Sequence, residues 1–169
     1  MSRTGIIYGI NGPVIYLKGN TGFKMSEMVY VGEEHLVGEV IALTKDTTTV
    51  QVFEETSGLK PGETVTATGD AISVTLGPGI LDNIFDGIQR PLSVIAEQSG
   101  KYISRGMQVD SLDTEKKWNV EFLVKEGDEV HGGTIFAQTQ ETASIVHKSM
   151  VPPKVEGKIK KILPNGAYN

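Results

Sequence analysis

The first part of the chain alternates short apolar runs with polar or glycine-rich breaks. Gly5-Ile6-Ile7-Tyr8 and Val14-Ile15-Tyr16-Leu17 flank Gly9, Asn11, Gly12 and Pro13, a pattern of strand, turn and strand. Residues 28–31, 36–43 and 49–53 repeat it, with Gly32-Glu33-Glu34 and Lys45-Asp46-Thr47 as the breaks. Val, Ile, Thr and Tyr dominate the runs, as pleated, half-buried segments require. Breaks at these intervals favour a small closed barrel over an open sheet, because closure removes edges that would otherwise pair with other chains. Pro61-Gly62-Glu63 reads as a turn before Val65, and Ile72, Val74 and Leu76 alternating with Ser73 and Thr75 predict a last strand.

The pattern changes at residues 76–92. Leu81, Ile84, Phe85 and Ile88 fall at i, i+3, i+4 and i+7, one face of a helix about two turns long. Pro78 suits its start, and Gly87 and Pro91 its stop. So short a helix is unstable alone and needs a surface to dock on. From Leu92 to Val109 the chain reads as a connector. Ser93 is placed to cap a short helical turn through Gln98, ended by Gly100. Arg90, Glu97, Lys101 and Arg105 read as a polar face, solvated or turned to a neighbour.

Beyond it, Glu126-Gly127-Asp128 marks a turn, Val130 a strand start, Gly132-Gly133 a second turn, and an apolar strand follows. That spacing resembles the barrel-sandwich hybrid of biotinyl and lipoyl carrier domains, with residues 153–159 as the returning strand. Residues 164–168 read as a mid-domain turn and a strand. The fold expected is mainly β: a closed barrel over 1–76, a connector with a short helix over 77–110, and a barrel-sandwich-like domain over 111–169, its C-terminal side truncated.

Composition narrows the classes. At 169 residues and 38% apolar content the chain can bury one ordinary core or two small ones. It has no cysteine, which removes disulfide frameworks and thiolate metal sites and fits a reducing compartment. Its N-terminus lacks an apolar signal core, and nowhere do about 18 uncharged apolar residues run together. The expectation is a cytoplasmic chain without membrane insertion. Residues 1–70 hold nine acids against five bases, so the barrel surface repels nucleic-acid phosphates.

Candidate chemistry is sparse. The barrel glycines fit turns and bulges better than a phosphate cradle. A phosphate loop needs G-x-x-x-x-G-K-[ST] so that backbone N–H groups wrap the phosphates. Gly100-Lys101 and Gly157-Lys158 are followed by Tyr102 and Ile159, and the earlier glycine positions hold Ile95 and Pro152. Pro78 takes an N–H donor from Gly77-Pro78-Gly79. No ATP site, cofactor site or catalytic residue is therefore expected in this chain. His35, His131 and His147 lack convergent donors at ligand spacing, so no metal site is expected either. A carrier domain needs an exposed lysine at its hairpin tip; Ser144 follows Glu141-Thr142-Ala143 there, and Lys148 comes four residues late. Trp118 suits a core or interface anchor. Lys154, Lys158, Lys160 and Lys161 form one face of the last strand or a contact with an acidic partner.

Gly77-Pro78-Gly79 followed by Ile84-Phe85-Asp86-Gly87-Ile88-Gln89-Arg90-Pro91-Leu92 resembles the segment after the N-terminal barrel in the catalytic A subunit of V-type and archaeal-type rotary ATPases. Gly12-Pro13-Val14, residues 28–32, residues 36–41 and residues 51–59 resemble that barrel in order. Trp118, Glu126-Gly127-Asp128, Glu141-Thr142 and Met150-Val151-Pro152-Pro153 resemble its insertion, the bulge or non-homologous region. The resemblance spans essentially the whole chain and stops short of the family's nucleotide-binding domain.

The resemblance implies an assembly module of a parent that uses Mg-ATP, hydrolysed or made in exchange for proton or sodium movement. Its phosphate loop and catalytic acid would lie beyond Asn169. The implied partners are the barrel of the non-catalytic B subunit, peripheral stalk subunits near the bulge, and the parent's own nucleotide-binding domain. Leu81, Ile84, Phe85, Ile88 and Arg90 are the candidate interface residues. A biotinyl- or lipoyl-carrier-like domain is the alternative, and an oligosaccharide- or oligonucleotide-binding barrel is a third class.

Overall fold

The computed structural model describes residues 3–19, 22–100 and 102–169. Lys101, which belongs to the expected polar face and to a Gly-Lys pair, lies outside them, as do Met1 and Ser2. The chain forms two compact units: Met1–Val74 with Ser99–Gln108, and Thr75–Gln98 with Val109–Asn169.

The first unit is a closed six-stranded barrel. Strands β1 (Thr4–Asn11), β2 (Val14–Lys18), β3 (Glu27–Val31), β4 (Leu36–Leu43), β5 (Thr47–Val52) and β6 (Thr64–Ala71) are ordered β1-β2-β5-β4-β3-β6, with β6 returning to β1. Every pairing between neighbours is antiparallel. Because side chains alternate across a strand, Ile7, Ile15, Leu17, Val29, Val31, Val40, Val50 and Val65 all point inward and are almost wholly buried. Each such side chain contributes about 1.5–3 kcal/mol by leaving water. Register shifts between Ile7 and Gly9, Glu27 and Val29, and Val40 and Ala42 supply the bends that closure of so small a sheet demands. Gly12, at φ 56° and followed by Pro13, makes the β1–β2 turn. Gly38 has a different role: a Cβ there would lie 2.8 Å from the Gln51 carbonyl oxygen, so β4 and β5 meet closely only because it has none.

Glu27 is the one acid among the described residues that is buried in the barrel interior, 1% exposed. It accepts hydrogen bonds from the N–H groups of Lys24 at 2.7 Å and Gly69 at 2.9 Å and pairs with Arg3. A buried carboxylate so saturated ties β3 to β6 and to the residue just before β1. Residues 99–108 strap the same unit. Arg105 donates to Glu34 at 2.7 Å and to the Glu55 carbonyl, and the Gly106 N–H donates to Glu54 at 3.0 Å. Arg105, expected as a solvated or neighbour-facing group, is thus engaged within its own unit. Glu55 titrates below the ordinary glutamate range, mainly through hydrogen bonds from Ser57.

The second unit holds β7 (Trp118–Phe122), β8 (Glu129–Val130), β9 (Ile135–Gln140), β10 (Val146–Met150), β11 (Gly157–Lys158) and β12 (Gly166–Tyr168). A four-stranded sheet has the order β10-β9-β7-β12, and β11 pairs with β8 in a separate ribbon. Turns at 126–127 and 132–133 stand where the sequence places them. Gly132 backs directly onto Pro153, whose carbonyl oxygen would be 2.5 Å from any Cβ added there. β12 is fixed at its start by Asn165, which accepts from the Phe122 N–H at 2.9 Å, and at its end by the Phe122 and Tyr168 rings at 6.1 Å.

Two expected elements are absent. Residues 72–76 form no strand, and Val74 and Leu76 are 62% and 74% exposed. The barrel already closes β6 on both β1 and β3, so no edge remains for a further strand to join. Residues 81–88 form no helix. The one helix among the described residues, α1, is Leu92–Ser99, with Ile95 buried, Pro91 before its first turn and Gly100 at φ 72° beyond its end. This is the short connector helix read from Ser93 and Gly100, but it starts at Leu92 with the Pro91 carbonyl taking its first bond, so Ser93 lies inside it and does not cap it.

Candidate functional site

Residues 75–91 of the second unit form a loop whose order comes from side chains. Asp86 is its hub. Its Oδ1 accepts from the N–H groups of Ile88 at 3.1 Å and Arg90 at 2.9 Å, and its Oδ2 accepts from Arg90 Nε at 2.7 Å. Backbone bonds close the same ring, from Asp86 N–H to the Arg90 carbonyl at 3.1 Å and from Leu92 N–H to the Ile84 carbonyl at 2.9 Å. Phe85 and Pro91 meet as an isolated antiparallel bridge. Asp82 at φ 64° and Gln89 at φ 63° have left-handed backbones that no helix accommodates, which is why the helical spacing of the apolar residues goes unused. Burial works against the Asp86 charge, but the Arg90 and Ile88 N–H groups and the Arg90 guanidinium outweigh it and hold its pKa below the ordinary aspartate value.

Gln89 anchors the other end by copying a strand pairing. Its amide donates to the Thr75 carbonyl at 2.7 Å and accepts from the Thr75 N–H at 2.6 Å. Between these ties, the Gly77-Pro78-Gly79 turn sits against the sandwich. Gly79 lies under Trp118, where an added Cβ would be 3.3 Å from the ring, and Gly77 lies against Leu112 at 2.8 Å by the same measure. Lys116 Nζ stands 4.0 Å from the centre of the Trp118 ring. Glu141, its side chain 2% exposed just past the end of β9, accepts from the N–H groups of Gly79 at 2.7 Å and Leu81 at 3.0 Å. Its other oxygen is 3.4 Å from His147 Nδ1 on β10. Burial raises the Glu141 pKa, but the Leu81 and Gly79 N–H groups and His147 lower it by more, so it lies below the ordinary glutamate value.

The five candidate interface residues do not share one stripe. Ile84 is 74% and Leu81 37% exposed, Phe85 and Ile88 are half-buried, and Arg90 is buried beside Asp86. Asp86, Gln89 and Glu141, which shape the loop, were not among them. Asp86-Gly87 is a turn signal in the sequence, whereas Glu141 reaches across 60 and 62 residues and leaves no local trace.

Other candidates resolve simply. Ser144 lies in the turn between β9 and β10, and Lys148 stands inside β10 paired with Gln138, so no lysine occupies that tip. His35 has φ 55° in the β3–β4 turn and its Nδ1 donates to the Glu33 carbonyl at 3.1 Å. His131 Nδ1 is 2.7 Å from Thr134 Oγ1. Among the described residues no three His, Cys, Asp or Glu side chains converge as metal ligands, and no helix is long and apolar enough to cross a membrane.

The closed barrel and the β unit after it are the two parts of the chain that the family comparison recognises. Residues 7–69 match the ATP synthase alpha/beta family, beta-barrel domain, and residues 109–169 match the ATP synthase alpha/beta subunit barrel-sandwich domain. The chain belongs to this family and corresponds to the N-terminal region of the A subunit of V/A-type ATP synthases. It is 49% identical over 168 residues to the V-type ATP synthase alpha chain of Halothermothrix orenii. It is 52% identical over 166 residues to the A subunit of the A-type ATP synthase of Methanosphaera stadtmanae, and 48% identical over 168 residues to that of Pyrococcus abyssi. These alignments cover 99%, 98% and 99% of the chain, but 28%, 28% and 16% of the relatives.

Proposed function

We propose that the chain is an assembly region of the catalytic A subunit of a V/A-type rotary ATPase. The observation that carries this is a barrel closed on every strand, in a chain about half identical to such subunits over nearly its full length. Closure pairs each backbone edge and makes the barrel stiff, which suits a ring that holds still while attached domains open and close. In this reading the barrel adjoins the barrel of the non-catalytic B subunit. The sandwich faces the peripheral stalk, and residues 75–91, with Leu81 and Ile84 outward, meet the nucleotide-binding domain.

The complex would stand on the cytoplasmic face of a membrane, and the parent would use Mg-ATP to drive, or be driven by, proton or sodium movement. The chain itself carries no ATP site in this reading, since it lacks a phosphate loop. Equilibrium dialysis against Mg-ATP is expected to show no tight binding; a stoichiometric nucleotide held by this chain alone would overturn the proposal. Intact mass after co-expression with a lipoate or biotin ligase is expected to be unchanged, because no lysine stands at the β9–β10 tip.

A further inference from the structure

Asparagine followed by glycine is a chemically labile pair, because glycine has no Cβ to keep its nitrogen from closing on the asparagine side chain. The chain has two such pairs, Asn11-Gly12 and Asn165-Gly166, and the related Asp86-Gly87. The fold places the three in different surroundings. Asn165 Oδ1 is held by the Phe122 N–H at 2.9 Å, and Gly166 is paired with Val120 within β12, beside the Tyr168 ring. Asp86 is bonded through both oxygens to Ile88 and Arg90. Asn11 is exposed, and among the described residues neither its side-chain amide nor the Gly12 N–H has a hydrogen-bond partner. No atom lies within 4 Å of the place where a Gly12 Cβ would stand, so nothing crowds the turn. Asn11 is also the last residue of β1, paired with Val14 across the turn. Turning its backbone toward Gly12 therefore opens one ladder pair, whereas the same movement at Asn165 opens β12.

We propose that Asn11 is a site of spontaneous deamidation in the folded protein, with water as the co-reactant, and that the fold protects Asn165 from the same reaction. The Gly12 nitrogen gives its proton to solvent base and bonds to Asn11 Cγ. The Cγ–Nδ2 bond then breaks, and the nitrogen leaves as ammonia after taking up a proton. Water opens the cyclic imide at either carbonyl, leaving aspartate or, where the chain runs on through Cγ, isoaspartate. Either product adds a negative charge at the β1–β2 turn, and isoaspartate adds a methylene to the backbone there. The turn is tied to the end of β5 and the loop beyond it. The Thr56 hydroxyl donates to the Gly12 carbonyl at 2.7 Å, and the Val52 N–H donates to the Pro13 carbonyl at 2.8 Å. Glu54 and Glu55 lie between those two residues, so the new charge enters an acidic end of the barrel and the added methylene strains both ties.

The test keeps the whole chain at mildly alkaline pH, folded in one sample and in concentrated guanidinium chloride in the other, with circular dichroism to follow the fold. Peptide mapping by mass spectrometry reads the replacement of NH2 by OH at each asparagine, and enzymatic methylation of isoaspartate reads the second product. In denaturant the two Asn-Gly pairs are expected to convert at similar rates. In the folded chain Asn11 is expected to slow by less than about tenfold and Asn165 by about a hundredfold or more, the difference between opening one ladder pair and opening a strand. No isoaspartate is expected at residue 86, whose carboxylate is held by its own bonds. Asn11→Gln leaves Gly12 and the turn in place and is expected to remove nearly all isoaspartate from the folded chain. Equal slowing at Asn11 and Asn165, or isoaspartate that persists undiminished in Asn11→Gln, would overturn the proposal.

Discussion

Removing the Asp86 carboxylate tests the loop architecture most sharply. Asp86→Ala deletes three hydrogen bonds, to Ile88 N–H at 3.1 Å, Arg90 N–H at 2.9 Å and Arg90 Nε at 2.7 Å. The Asp86 side chain is 17% exposed and that of Arg90 9%, so solvent screens the pair only in part. Hydrogen bonds to a charged group contribute about 1.5–3 kcal/mol each but do not add in full when one acceptor serves all of them. Arg90 keeps other interactions, so the expected loss is about 2–3 kcal/mol rather than the ~3–5 kcal/mol of a stranded buried charge. Trp118 is the sole tryptophan and stands beside Gly79, so its fluorescence reports on this unit. With a urea slope of about 1 kcal/mol per molar for so small a unit, the Trp118 midpoint is expected to fall by about 2–3 M. Asp86→Asn keeps an Oδ1 acceptor but turns an amide toward Arg90, so a smaller fall is expected. A midpoint for Asp86→Ala within about 0.3 M of wild type, or Asn and Ala variants that behave alike, would refute the account of Asp86 as the hub.

Acid gives a second check on the same loop. Asp86 and Glu141 both titrate below their ordinary values in the folded chain, so their stabilisation is full above about pH 4 and is lost as pH falls through the folded values. The Trp118 signal should hold down to that point and change below it; loosening that began near neutrality would contradict this. In the barrel, Glu27→Ala breaks a buried pair and two N–H bonds and is expected to cost about 3 kcal/mol in thermal unfolding followed by circular dichroism. Gly38→Ala puts a methyl 2.8 Å from the Gln51 oxygen, with an expected cost of about 1–3 kcal/mol by the same assay. Leu17→Ala, at a position of 0% exposure, is expected to cost about 2–5 kcal/mol.

How far the sequence reveals this molecule depends on the range of the interaction. The barrel strands were legible because each is written locally, in alternation such as Ile15 and Leu17 within β2, and in the turn residues between strands. The two turns before β8 and β9 were legible for the same reason. Residues 81–88 misled because their spacing fits a helix while Asp86 offers the backbone a competing set of bonds, and side chain-to-backbone bonds of this kind displace helices. The Ile72, Val74 and Leu76 alternation misled because pairing needs a free edge, and barrel closure, a property of the whole chain, removes it. Of the site, Trp118 was legible as a core or interface anchor, while the seating role of Gly77, Gly79 and Glu141 was not, and the meeting of all four at one seat is visible only in the fold.

The most direct test of the assembly role is sedimentation velocity of this chain mixed with the isolated barrel domain of a V/A-type non-catalytic B subunit. The account predicts a faster-sedimenting species containing both chains, absent from either alone. Two components that sediment independently at every mixing ratio would contradict it.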